Sequence, residues 1–80
     1  MYYSYILISK KDNSYYYGST DDIPKRIKEH NAGKVRYTKG HRPYAYHFSE
    51  VFNTRSEAFR RERFYKSINR YKLLKSKGII

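Results

Sequence analysis

A chain of 80 residues without a cysteine has to be held together by side-chain packing alone. At this length the core is small, because a short chain buries only a modest share of its surface. The missing cysteines remove the small secreted scaffolds, which lean on disulfides. They also remove zinc knuckles and fingers, which need thiolates or more histidines than the three present. A reducing, cytoplasmic setting follows as the expectation. The length predicts one domain, residues 1–80. No segment is long enough to cross a bilayer as a helix. The chain opens on tyrosines rather than on basic residues before a long apolar run, so no signal peptide is expected.

What is left to build the core is unusual. There are eleven tyrosines and no tryptophan. A tyrosine has an apolar body and a polar tip, so it serves a half-buried core and a polar surface equally well. Most are expected to pack, and a few to face a polar partner. Lys and Arg outnumber Asp and Glu 18 to 7, a formal charge of +11. Such self-repulsion costs stability, and nucleic acid is the partner that offsets it, through counterion release. An anionic membrane surface is the competing partner, and the reading adopted has no membrane role.

Periodicity then divides the chain. Residues 2–9 read as a strand, with Ile6 and Ile8 on one face and Tyr5 and Leu7 on the other. The polar stretch 10–14 is turn-prone. Residues 15–17 form a second aromatic strand, broken at Gly18, and the two make a hairpin. Ser19, Thr20, Asp21 and Asp22 are a cluster of capping residues before a helix over 23–30, with Pro24 in its first turn and Gly33 beyond its end. Residues 34–43 read as a basic loop and 44–52 as a third strand. Thr54 and Glu57 have capping-box spacing and open the longest helix, running to Ile68 or Asn69. Its inward stripe is Ala58, Tyr65 and Ile68. A short helix over 71–76 ends at Gly78, and Ile79 and Ile80 tuck back onto the core. The fold class is α+β: a small three-stranded antiparallel sheet flanked by helices, in the order β-β-α-β-α-α.

Several residues could carry chemistry. Glu62 sits on the shoulder of the buried stripe. A carboxylate there is paired with Arg55, Arg60, Arg61 or Arg63, or it ligates a hard cation such as Mg²⁺. Arg26 is either an exposed helix charge or a guanidinium fork for phosphate. His30, one turn on, is a cation favoured at a helix C-terminus, a phosphate contact or a proton shuttle. Tyr5 and Tyr16 lie on the two strands of the hairpin. A phenol serves as general base only where cations lower its pKa. Gly18 is a turn, or a place where a backbone or phosphate comes close. No catalytic Ser-His-Asp pattern, phosphate-binding glycine loop or zinc spacing is present.

Read in order, these residues resemble the GIY-YIG nuclease superfamily, in particular its small stand-alone members, whose domain is similar to that of the excinucleases. Tyr3-Ser4-Tyr5 stands for the first motif and Tyr16-Tyr17-Gly18 for the second. Eleven residues separate Tyr5 from Tyr16, and ten more lead to Arg26. Arg26-Ile27-Lys28-Glu29-His30-Asn31-Ala32-Gly33 resembles the R-x-x-x-H-N-x-G segment, and Thr38 with Arg42-Pro43 the later T-x-x-x-R-P segment. Ser56-Glu57-Ala58 and Arg61-Glu62 resemble the helix that carries the metal-binding glutamate. The first motif lacks its glycine, Tyr17 stands where an isoleucine gives the second motif its name, and a late Asn near the metal is matched only by Asn69, at a different separation.

The resemblance implies a GIY-YIG endonuclease fold and a phosphodiester hydrolase using one weakly held Mg²⁺ or Mn²⁺ ion on Glu62. It implies that Arg26 neutralises the scissile phosphate, that Tyr5 is general base, and that Tyr16 positions the water, with the two tyrosine roles exchangeable. His30 assists as a phosphate contact or by lowering a tyrosine pKa. Lys34, Arg36, Thr38, Lys39, Arg42 and Arg61 are the expected nucleic-acid contacts, of a kind that position rather than specify. The substrate expected is DNA, in single strands, flaps or branches, with RNA also open, cut by a monomer or weak homodimer with a part in DNA repair. Two rivals stand beside it. One is a catalytically weak or inactive nucleic-acid-binding module. The other is an interaction protein that docks an acidic partner.

Overall fold

A computed structural model describes residues 1–67 and 70–80. Three strands and three helices follow the expected order: β1 (Tyr2–Ser9), β2 (Tyr15–Thr20), α1 (Ile23–Asn31), β3 (Tyr44–Phe52), α2 (Arg55–Tyr65) and α3 (Arg70–Ser76). The sheet order is β2-β1-β3, antiparallel throughout, so β1 is the central strand. With a strand on each side and helices on both faces, β1 buries Ser4, Tyr5, Ile6 and Leu7 in succession. Alternation along the strand sends those side chains to two different cores. Ile6, Tyr17, Tyr65 and Leu74 pack together, with Ile79 and Ile80 folded onto them. Tyr5, Leu7 and Tyr44 pack on the opposite side with Tyr16 and with Ile23 and Ile27 of α1. Two thin cores share one strand.

The helix starts follow local chemistry. Asp22 caps α1, its carboxylate accepting from the Lys25 N–H at 3.1 Å, with Pro24 in the first turn. Thr54 caps α2 by accepting from the Glu57 N–H at 3.2 Å, while its hydroxyl donates to Glu57 at 2.9 Å. Asn31 closes α1 onto β3: its amide donates to the Tyr44 carbonyl at 3.1 Å and accepts from the Tyr44 N–H at 2.7 Å.

Some boundaries depart from expectation. β2 does not break at Gly18, because Gly18, Ser19 and Thr20 pair with Tyr5, Ser4 and Tyr3. Ser19 and Thr20 are therefore strand residues, and Asp22 alone caps the helix. α2 stops at Tyr65, short of the expected end. The Ser67 N–H and hydroxyl both bond the Phe64 carbonyl, at 3.0 and 2.7 Å, which satisfies the helix end locally. Ile68 and Asn69 lie outside the described residues, and so do the inward position expected of Ile68 and the match of Asn69 to the late Asn. The basic loop contains a 3₁₀ turn at Lys39–His41. That turn is tied to the hairpin by Lys11 Nζ donating to the Gly40 carbonyl at 3.1 Å and by His41 Nδ1 on Asp12 Oδ2 at 2.6 Å. The Ser14 hydroxyl first, and His41 second, hold the Asp12 carboxyl well below the usual carboxylate range.

Ile6 is fully buried where the central strand meets α2 and α3. Ile6→Ala is expected to cost about 2–5 kcal/mol, as large-to-small changes in cores do. A fall in the urea midpoint at unchanged slope would register it, and a midpoint close to wild type would contradict this account of the core.

Candidate active site

Tyr5 is the organising residue. It pairs with Gly18 across the hairpin, and its ring lies over that glycine. A Cβ on Gly18 would come within 2.4 Å of the Tyr5 hydroxyl oxygen. The glycine is needed for this close approach, not for a turn. Folded across it, the Tyr5 hydroxyl reaches α1, where it meets His30 Nε2 at 3.1 Å and receives a hydrogen bond from Arg26 Nε at 3.4 Å.

The hydrogens in this cluster follow from donor counting. The Thr38 hydroxyl donates its one proton to the Val35 carbonyl at 3.2 Å. It can then only accept from His30 Nδ1, 2.8 Å away. His30 is therefore protonated on Nδ1 and accepts the Tyr5 O–H at Nε2. Burial, and after it the Arg26 charge, push the His30 pKa down to about 4, with Glu29 opposing. The imidazole is neutral at physiological pH. Burial pushes the Tyr5 phenol up to about 12, outweighing the Arg26 hydrogen bond that lowers it.

His30 and Thr38 are fully buried, and their side chains are engaged with protein partners. Two expectations change as a result. His30 has no face for a phosphate, and Thr38 supports His30 rather than touching nucleic acid. Nor is Tyr5 lowered by nearby cations, since desolvation dominates. Tyr16, by contrast, is only half-buried, its ring 4.7 Å from that of His30 and 6.4 Å from that of Tyr5.

Arg26 projects from α1 into a polar cleft of about 210 Å³, also lined by Ser19, Thr20, Lys25 and Arg55 and by the carboxylates of Asp21, Asp22 and Glu29. Its guanidinium is held by Tyr5 at Nε and by Glu29 at Nη1, 3.2 Å away. Glu62 arrives from α2 on the other side of β2. Its Oε1 accepts from the Ser19 hydroxyl at 2.8 Å, and its Oε2 pairs with Lys66 Nζ at 2.8 Å. The Glu62 side chain is only 13% exposed. The arginine pairs considered from sequence do not form. Arg61 instead pairs with Glu50 at 3.1 Å and stays partly exposed. Lys34, Arg36, Lys39 and Arg42 are exposed on the loop.

Ser19 and Lys66 were not among the site residues expected from sequence. Ser19 directly follows the Tyr16-Tyr17-Gly18 motif, and strand alternation turns it from the Tyr16 face toward α2. Lys66 is one turn after Glu62, at i+4, the spacing of a helical ion pair.

For a metal ion, Glu62 and the Ser19 hydroxyl offer hard oxygen donors, the class Mg²⁺ and Mn²⁺ take. No group of three or more His, Cys, Asp or Glu side chains gathers among the described residues. The donors fit an ion held by one protein carboxylate, with water and substrate oxygens as the remaining ligands.

A tyrosine folded over a glycine, an arginine bonded to its hydroxyl and a glutamate reached through Ser19 make up the polar centre of the domain. The family model described as the GIY-YIG catalytic domain matches residues 1–75, and the chain belongs to that family, a nuclease superfamily whose substrates are nucleic acids. Its relatives are UPF0213 proteins. It is 44% identical to the UPF0213 protein YazA of Bacillus subtilis over 85% of this chain and 70% of that one. It is 47% identical to the UPF0213 protein SH2523 of Staphylococcus haemolyticus over 89% of each. The solution NMR structure of the UPF0213 protein BH0048 from Bacillus halodurans superposes with a TM-score of 0.54 at 39% identity, covering 95% of this chain and 84% of that one.

A neutral buried histidine has a signature in stability. Between pH 6.5 and about 4 the unfolded chain takes up a proton at this residue that the native state refuses. Stability therefore falls as pH drops through that window, by up to about 1.4 kcal/mol per pH unit. His30→Gln is expected to flatten the slope seen in denaturant titrations, and an unchanged slope would contradict a neutral His30.

Proposed function

We propose that this chain is a divalent-metal-dependent DNA endonuclease that either has low sequence specificity or selects DNA by its structure. The observation that carries the reading is convergence. Arg26 of α1 and Ser19 of β2 line one cleft, the Ser19 hydroxyl bonds Glu62 of α2, and Tyr16 of β2 packs on His30 beside Tyr5, in a chain of net charge +11. Glu62, with the Ser19 hydroxyl beside it, would hold Mg²⁺ or Mn²⁺. The ion, when bound, supplies Lewis-acid polarisation of the phosphate and charge stabilisation on the leaving oxygen.

The chain's own residues do the rest. Arg26 meets the phosphate already oriented by Tyr5 and Glu29, so little reorganisation is needed as negative charge develops. Tyr5 is 1% exposed and its hydroxyl is occupied on two sides. Its part is to hold Arg26 and His30 in register. Tyr16 is the tyrosine that solvent reaches, and it takes the water that attacks. Of the two tyrosine roles left exchangeable by the motifs, the one in contact with water is assigned in this proposal to Tyr16, on the strength of its greater exposure. The exposed cations Lys34, Arg36, Lys39 and Arg42 supply sequence-independent phosphate contacts.

A second reading has one observation behind it. Lys66 already neutralises Glu62, as in a domain that binds nucleic acid without cutting it. Cleavage of labelled single-stranded, duplex and branched DNA in Mg²⁺, Mn²⁺ or EDTA separates the two readings. Wild type is expected to cut only with metal. Glu62→Ala and Arg26→Ala are each expected to lose activity on the order of 10²-fold or more while keeping the wild-type circular dichroism spectrum. Full activity in either variant would overturn the assignment. Metal-indifferent binding with no cleavage on any of the substrates would favour the binding module.

A further inference from the structure

Next to the residues used above lies a groove of about 470 Å³ lined by Tyr15, Tyr16, Tyr17, Tyr37 and Lys66, in which the chemistry gives no part to Tyr15, Tyr17 or Tyr37. β2 is an outer strand of the sheet, and the groove wraps its free edge. Tyr16 enters from the α1 face, and alternation turns Tyr15 and Tyr17 to the α2 face. Tyr37 reaches over from the basic loop, its ring 6.0 Å from that of Tyr16. It is 77% exposed, a large aromatic surface left in water beside three other tyrosines. Core packing does not account for it.

Position and charge narrow the occupant. Lys66 lines the groove and also pairs with Glu62, while Ser19 lines the Arg26 cleft and bonds the other Glu62 oxygen. A lining residue of the groove and a lining residue of the cleft thus bond the same carboxylate, which places the two cavities side by side. Whatever lies in the groove is flat enough for aromatic walls and is joined to an anion in the cleft. A nucleotide has both parts. An acidic peptide would answer the lysine but not the exposed Tyr37 ring standing beside Tyr16. In a duplex the base faces are already stacked, so a base that enters has left its pair.

We propose that this groove stacks an unpaired nucleobase of single-stranded DNA, next to the phosphate held in the Arg26 cleft. The neighbouring phosphate rests on the nuclease reading. The stacking itself does not.

The test separates the two. Anisotropy of a fluorescein-labelled single-stranded DNA and of a duplex of the same sequence is titrated in EDTA, with wild type, Tyr37→Ala and Tyr37→Phe. Wild type is expected to bind the single strand more tightly than the duplex. Stacking on an aromatic ring predicts that Tyr37→Ala loses roughly 5-fold or more on the single strand and less than about 2-fold on the duplex. Tyr37→Phe, which keeps the ring, is expected to bind like wild type. No loss in Tyr37→Ala, an equal loss on both DNAs, or a loss in Tyr37→Phe as large as in Tyr37→Ala would overturn the proposal. So would tighter wild-type binding to an RNA strand of that sequence. Cleavage of the same DNAs with Mg²⁺ reads the nuclease separately: selective single-strand binding without cutting would remove the nuclease and keep the groove.

Discussion

The hydrogen bond from the Tyr5 hydroxyl to His30 Nε2 is the interaction on which the rest of the site depends. It joins the central strand to the first helix across a glycine that leaves room for the ring. Three features follow from it. His30 has to be neutral, with its proton on Nδ1, so an acceptor has to wait there, and Thr38 provides it. The Tyr5 oxygen keeps a lone pair for Arg26, which orients the guanidinium. The basic loop has to cross α1 to deliver Thr38, and the Lys11 and Asp12 contacts with the 3₁₀ turn hold it there. Polar groups buried this deeply are favourable only when all are satisfied, and no buried side-chain nitrogen or oxygen is left unpartnered among the described residues.

The site straddles the sheet instead of sitting on one face. Arg26 and Tyr16 belong to the α1 side, and Glu62 belongs to the α2 side. Ser19 passes between them because it occupies an outer strand, where alternating side chains reach both helices within a few residues. This geometry explains how a domain with two thin cores can still assemble a polar centre. The edge strand needs no partner on its outer side, so side chains of both faces meet around it.

Much of this was legible in the sequence. The strand alternation of Tyr5, Ile6 and Leu7, the Thr54 cap and the burial of Ala58 and Tyr65 all follow from local pattern, and the structure has them. The ordered motifs singled out Tyr5, Tyr16, Arg26, His30 and Glu62, and the structure gathers the first four on the α1 side, with Glu62 tied to Ser19 on the α2 side. What the sequence did not reveal lies in contacts between elements. Thr38 looked like a phosphate contact because it sits in a basic loop, yet a single backbone carbonyl turns its hydroxyl inward to His30. Tyr5 looked like a base lowered by a cationic chain, but the pKa answers to local burial more than to net charge. Glu62 was weighed against neighbouring arginines, whereas its partners are Ser19, 43 positions away, and Lys66, one turn on. Lys66 was within reach of helical spacing, at i+4, whereas Ser19 comes from another element and no local pattern points to it.

The most direct measurement of this account is the ¹⁵N chemical shift of the His30 imidazole across pH 4–8. The structure predicts a neutral ring with its proton on Nδ1 throughout the upper part of that range, titrating only near pH 4. A ring that titrates near 6.5, or a neutral ring with its proton on Nε2, would mean that Tyr5 does not donate to His30, and the proposed ordering of Arg26 would fall with it.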